Sequence, residues 1–255
     1  MCLILVAWQA HPDYPLVVAA NRDEFFARPA APAAWWPDAP HVFAGRDLEA
    51  GGTWLGLTRT GCFAGLTNFR DPGRNRAGTP SRGALVADFL GGGESTAEAL
   101  ARLQHEGPRY NAFNLFVSDG DTLGIYESES GAARLLEPGV HALSNHLLDT
   151  PWPKARAGKA RLFRALQALP DDTPLVELLR DDRPAPDAEL PRTGVSLAWE
   201  RMLSSAFIRA PGYGTRCSTV IRRDRHGWTH IQESTWNEVG RETDRVVESF
   251  QRTRA

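Results

Sequence analysis

The chain is 255 residues long with a formal net charge of -2, and 42% of its residues are apolar. It therefore holds enough apolar side chain for one large core, and two-sheet folds often run to about 250 residues as a single unit; one domain over residues 1–255 is expected. The charge balance excludes a nucleic-acid footprint of clustered Lys and Arg, no apolar run approaches the roughly 18 residues of a membrane span, and three widely spaced cysteines argue against a disulfide framework or a zinc site.

Met1-Cys2-Leu3-Ile4-Leu5-Val6-Ala7-Trp8 has no basic start and reads as a strand over 2–8 rather than a signal peptide. With odd, scattered cysteines, a reducing cytoplasm is the expected compartment. A turn signal at His11-Pro12-Asp13 leads to a second strand over 16–20, which gives an antiparallel hairpin. Residues 29–40 are rich in Pro and Trp and read as irregular. Strands follow over 54–58 and 62–68, with Thr60-Gly61 at the turn between them. Residues 81–90 read as a helix capped by Ser81 and ended by Gly91–Gly93, and a second helix spans 96–105. Strands resume over 114–118, 123–127, 134–136 and 141–144. The spacing of Leu162, Ala165, Leu166 and Leu169 predicts a helix over 153–169. Thr173 caps another over 175–179, and 181–193 is a polar, Pro-rich loop. Three strands close the chain, over 216–222, 228–233 and 244–250.

The helices come in two clusters rather than alternating with strands, which disfavours a parallel sheet. Two packed antiparallel sheets, each covered by a helix pair, use every element. The expected class is α+β, a four-layer α/β/β/α sandwich.

Cys2 is the first candidate for chemistry. Removal of Met1 leaves a thiol and a free α-amine on one residue, and an amine with a pKa near 7.7–8.0 is able to accept a proton near neutrality. The alternative is a small apolar residue that starts a strand. The polar cluster Asn21-Arg22-Asp23-Glu24 ends the second strand of the hairpin, beside the start of the first. An Arg there favours the thiolate, and a carboxylate holds the amine. A local salt bridge is the plainer reading. Cys62 and Cys217 read as packed thiols. Gly51-Gly52 permits close backbone approach, and Trp35-Trp36 forms either a lid or a packed loop. His141 and His146 read as structural rather than as ligands of a metal or haem iron, and no metal site is expected.

The ordered set Met1-Cys2, Asn21-Arg22-Asp23-Glu24, Gly51-Gly52-Thr53-Trp54-Leu55-Gly56, Leu66-Thr67-Asn68, Tyr110-Asn111-Ala112-Phe113-Asn114-Leu115, Leu143-Ser144-Asn145, Thr150-Pro151-Trp152 and Pro211-Gly212-Tyr213-Gly214-Thr215-Arg216 resembles the NRDE family, also called the transport and Golgi organisation protein 2 family. The resemblance runs from residue 1 to about 236. It implies the fold of the N-terminal nucleophile (Ntn) hydrolases, whose cysteine members cleave amides through a Cys thioester. Carried over residue by residue, it makes Cys2 the nucleophile and Asp23 the carboxylate near its amine. Asn68 becomes an oxyanion donor, and Asn145 a residue that orients the amine or the substrate. Arg22 departs from the cysteine hydrolases, whose basic residue precedes the Asn-x-Asp stretch; here its side chain is free to point to the other side of the strand from Asn21 and Asp23. Arg216 is the candidate for a late Arg of those enzymes.

Two functions follow from the resemblance. The first is hydrolysis of a non-peptide C–N bond with no cofactor. The second is non-catalytic binding and trafficking of haem, acyl-CoA or lipid on the same scaffold. The expected partner is a small amide, acyl or haem-like ligand.

Overall fold

The computed structural model describes residues 2–253. The expected removal of Met1 concerns a residue outside that range. In chain order the elements are β1 (Cys2–Trp8), β2 (Leu16–Phe25), β3 (Ala30–Trp36), β4 (Ala39–Asp47), β5 (Leu55–Thr58), β6 (Phe63–Asn68), α1 (Gly83–Gly92), α2 (Thr96–Glu106), β7 (Phe113–Ser118), β8 (Leu123–Glu127), β9 (Ala132–Leu135), β10 (Gly139–Leu143), α3 (Pro153–Ala165), α4 (Thr173–Leu179), α5 (Leu197–Met202), β11 (Arg209–Ala210), β12 (Tyr213–Arg223), β13 (Trp228–Trp236) and β14 (Glu242–Gln251). One sheet runs β10-β1-β2-β12-β13-β14, with β11 beside β12; the other runs β3-β4-β5-β6-β7-β8-β9. Neighbouring strands are antiparallel, as in the β1–β2 and β6–β7 pairs.

β1 shows why the sandwich has four layers. Its seven residues are all buried, so both of its faces are covered. Successive side chains alternate. Ile4, Val6 and Trp8 point at the second sheet and share a core with Phe43, Leu57, Phe63 and Phe116. Leu3, Leu5 and Ala7 point outward and pack with Leu162, Leu166, Leu175 and Leu178 under α3 and α4. On the other sheet, Ala64, Leu66, Leu115 and Val117 pack outward on Leu85, Phe89, Leu100 and Leu103 of α1 and α2. Each fully buried Leu or Phe contributes about 1.5–3 kcal/mol relative to exposure, and the layers bury them on both faces of both sheets. The fold is an α/β/β/α sandwich. Among the described residues, no helix is long and apolar enough to cross a membrane.

Two local readings of the sequence are corrected, and the open choice for Trp35-Trp36 falls on packing. Residues 29–40 are not irregular: β3 and β4 form a hairpin with register shifts between Ala31 and Ala34 and between Trp35 and Trp36. β3 is an edge strand, so Pro32 removes no ladder hydrogen bond from a second neighbour. Trp35 and Trp36 do not form a lid. Trp36 donates its indole N–H to the Ala44 carbonyl at 3.0 Å, and Trp35 stacks edge-on against Phe43 and Phe250. Ser81 does not cap α1, which begins at Gly83. Arg82 stands at the N-cap without a side-chain cap hydrogen bond, and the helix start packs closely on the β4–β5 loop, where a Cβ on Gly52 would lie 2.4 Å from the Gly83 carbonyl carbon.

Candidate active site

The hairpin register builds the site. Cys2 lies opposite Arg22 across β1 and β2, and residues opposite each other in an antiparallel pair project to one face. On the other side of β2, Asp23 faces Thr215 and Arg22 faces Cys217, with Arg216 as the extra residue of a β-bulge. Cys2, Arg22 and Cys217 thus form a row directed at the second sheet. Asn21 and Asp23 project the other way, towards the helices. Arg22 therefore shares a face with Cys2.

On the sheet–sheet side, a cleft of about 430 Å³ opens at Cys2, with Arg22, Asn68, Arg82, Arg216 and Trp54 among its walls. Cys2 is 8% exposed. Burial pushes its thiol pKa up; Arg22 and the Asp23 backbone N–H act against that rise, and the Asp23 charge adds to it. Desolvation outweighs the guanidinium in this balance. Arg22 lies 3.8 Å from Asp47. Asn68 ends β6, and its side-chain amide makes no hydrogen bond among the described residues, while its carbonyl accepts from Asn145 Nδ2 at 2.9 Å. Asn145 is fully buried behind Asn68 and does not line the cleft. It is tied to the site through its own carbonyl, which accepts from Arg70 N at 2.8 Å, and through its neighbour Ser144, whose hydroxyl donates to the Cys2 carbonyl at 3.4 Å. Arg216 lines the cleft but directs Nη1 at the carbonyls of Phe25 and Arg28, at 2.9 and 2.8 Å. It anchors the turn after β2 rather than the sulfur.

Behind β1, on the helix side, lies a buried charged cluster. Thr215 donates its hydroxyl to Asp23 at 2.7 Å. Burial raises the Asp23 pKa, and the charge of Lys154 opposes the rise. Lys154 is 5% exposed, and its Nζ has no hydrogen-bond partner among the described residues. Burial pushes its pKa down to about 8, with Asp23 acting against the fall. The two shifts have one cause: the interior disfavours both charges, and each carboxylate–ammonium partner restores part of the other's loss. Arg70 pairs with Glu200 at 2.9 Å, both side chains being 4% exposed, and its guanidinium lies over Trp152 at 4.6 Å. Tyr213 completes the wall, its phenol pushed well above its ordinary pKa by burial and by Asp23 and Cys2. Asn21 is structural: it donates to the Leu179 and Ala206 carbonyls and accepts from Ser218.

Sequence reasoning missed Arg70, Arg82, Lys154, Glu200 and Tyr213. One signal was present for Lys154. It follows Pro153 at the start of a helix, where a cation is disfavoured by the helix dipole. The charge of Asp23 favours a lysine ammonium there, against that dipole and the burial. The remaining cysteines and histidines fall elsewhere. Cys62 packs beneath α1 and α2, and Cys217 shares the cleft wall with Glu233, its thiol raised by burial. His141 has both ring nitrogens engaged, by Asp149 and the Glu137 carbonyl. His146 bonds Thr150 and lies against the rings of Phe69 and Trp152. Neither lines the cleft, so the pair does not fit an iron-ligating role there.

A cysteine on the first residue of an inner strand, open to a cleft between two sheets and backed by a buried acid–base cluster, defines an α/β/β/α sandwich protein with a candidate cysteine active site. The chain belongs to the Transport and Golgi organisation 2 family, whose sequence model matches residues 1–238. It is 37% identical over 257 residues to the Transport and Golgi organization protein 2 homolog of Bos taurus, covering 91% of this chain and 92% of that one. It is 31% identical over 289 residues to Transport and Golgi organization protein 2 of Drosophila melanogaster, covering 96% and 98%. Among solved structures it is similar to the Caenorhabditis elegans N-acylethanolamine-hydrolyzing acid amidase ortholog, with a TM-score of 0.48 and 11% identity over 86% of this chain and 92% of that chain.

Proposed function

We propose that the chain is a cysteine amidohydrolase that cleaves a non-peptide C–N bond through a thioester on Cys2, once Met1 has been removed. The observation that carries this reading is the placement of Cys2 at the floor of the cleft, with Arg22 beside it and the Asn68 amide on the wall, and with Asp23 and Lys154 buried behind the same strand end.

In this mechanism the neutral α-amine of Cys2 takes the thiol proton, and the thiolate attacks the amide carbon. The carbonyl oxygen becomes an oxyanion towards which the Asn68 amide donates. The C–N bond then breaks, and the α-ammonium returns the proton to the leaving amine. The freed α-amine next deprotonates a water, which attacks the thioester and breaks its C–S bond. The products are an amine and a carboxylic acid, and the thiol is regenerated. Asp23 holds the ammonium form, and Lys154 keeps Asp23 ionised. A chain that begins at Cys2, incubated with simple N-acyl amides, should release amine. Asn68→Ala should lower turnover by about 10²–10³. Absence of turnover on every amide by the chain beginning at Cys2 would remove the hydrolase reading.

One observation favours the second reading, a binding protein for haem, acyl-CoA or lipid on the same scaffold. It is the burial of Cys2, which is 8% exposed, since burial opposes the thiolate. A carrier needs no thiolate, and its ligand affinity would be the same in Cys2→Ala.

A further inference from the structure

Five guanidiniums line the Cys2 cleft, and they are not equally engaged. Arg28 is held by Asp47 and Glu49 at 2.7 and 3.1 Å, and Arg46 by Asp38 at 2.6 Å. Arg22 has Asp47 at 3.8 Å. Arg82 and Arg216 form no ion pair among the described residues. Arg82 donates to the Ala112 carbonyl at 3.2 Å, and Arg216 donates Nη1 to two carbonyls. Both are half-buried. A guanidinium offers five donors in a fixed fork, so each retains N–H groups for a ligand.

We infer that the substrate processed at Cys2 is an anionic amide, whose carboxylate or phosphate group binds Arg82 and Arg216 while its uncharged part lies against Trp54. This inference rests on the hydrolase reading for its substrate and on the cleft alone for its anion. Burial and the neighbouring cations Arg28 and Arg22 act against the charges of Arg82 and Arg216 respectively. A ligand anion adds a directly paired counter-charge in a site that already excludes part of the solvent. Glu24 is felt by both guanidiniums, but its Oε1 accepts from the Phe25 backbone N–H at 2.9 Å rather than from either Arg. α1 begins at Gly83, directly after Arg82, and directs the positive end of its dipole to the same side. The volume suits a ligand of small-molecule size, with an apolar wall and a few placed polar groups.

The test measures binding to the full chain carrying Cys2→Ala, so that nothing is turned over. Three probes share one acyl group: N-phenylacetylglycine, N-phenylacetyl-O-phosphoethanolamine and the neutral N-phenylacetylglycinamide. At low salt, at least one anion should bind about tenfold or more tighter than the neutral amide, and the stronger of the two anions tells carboxylate from phosphate. Added salt should reduce the preference. Arg82→Met should abolish it. Arg82→Lys, which keeps the charge but loses the fork, should retain part of it, and this also guards against loss of the fold in the Met variant. Equal affinity for all three probes, no anion binding at millimolar concentration, or a preference that survives both Arg82→Met and Arg216→Met would overturn the inference. Anion-selective binding to Cys2→Ala with no cleavage by the chain beginning at Cys2 would remove the hydrolase reading and leave the anion site standing.

Discussion

The two ends of the first sheet bury similar chemistry and put it to different use. β1 runs away from Cys2, and β12 is aligned so that Tyr213 to Cys217 lie at the Cys2 end while Arg223 pairs with Leu16 at the other. The far end also holds a buried cation and a nearby cysteine. Arg223 is 4% exposed, its Nε donates to Thr229, and its Nη2 has no hydrogen-bond partner among the described residues. Burial, with Arg252 and despite Cys62, pushes its pKa down to about 10. Arg252 closes this end. It donates to the Thr60 carbonyl at 2.7 Å and pairs with Asp121 at 2.9 Å, and it packs on Gly61 and Gly120, both at positive φ, where a Cβ would meet its side chain at 2.6 and 3.0 Å. At the Cys2 end, buried cations face buried carboxylates, and the thiol opens to a cleft. A buried charge is therefore not enough to mark a site. The difference lies in opposed charges held beside a nucleophile that lines a cleft.

The largest expected effect separates the two thiols. Cys2→Ala should lower amide hydrolysis by at least ~10³-fold, whereas Cys62→Ala should leave the initial rate unchanged. Equal losses would erase the contrast between the ends. Next come the ion pairs. Glu200→Ala removes the buried carboxylate that pairs with Arg70 and should cost about 3–5 kcal/mol in urea unfolding. A cost below about 1 kcal/mol would place that pair among weak surface bridges.

Lys154 sharpens the comparison through pH. Its folded pKa of about 8 lies below the ordinary lysine value of 10.5. Between those values the unfolded chain binds more protons than the folded one, so stability rises with pH across that window. The penalty of the buried ammonium is fully present below the window and absent above it. The rise should reach up to about 3 kcal/mol and should be missing in Lys154→Met, as read from unfolding curves at pH 7, 9 and 10.5. Matching curves for the two proteins would mean that Lys154 is solvated. The smallest effect belongs to the far end. Arg223→Met removes a buried cation without a carboxylate and loses one hydrogen bond to Thr229, so stability should change by no more than about 1 kcal/mol. A cost like that of Glu200→Ala would show that the far end holds an ion pair of equal weight.

The layer order was readable from the chain because its helices cluster and its core segments keep strand length. β1 itself gave no alternation, since both of its faces are buried. The hairpin placed Arg22 beside Cys2 in the sequence reading, because a short turn fixes which strand ends meet. The β3–β4 hairpin was hidden by Pro32, whose cost vanishes only on an edge strand, a property of the assembled sheet. Arg70, Lys154 and Glu200 were hidden for a related reason. They reach the site from the loop after β6, the start of α3 and α5, and only tertiary packing brings these segments together. The rise in the Cys2 pKa was likewise invisible. Local charges suggested a thiolate, and desolvation is set by residues far along the chain.

The central claim is that Cys2 forms a thioester. A chain beginning at Cys2, mixed briefly with p-nitrophenyl acetate, should gain one acetyl group on Cys2, released by hydroxylamine and absent in Cys2→Ala. Acetylation spread equally over Cys2, Cys62 and Cys217, or found on none of them, would contradict it.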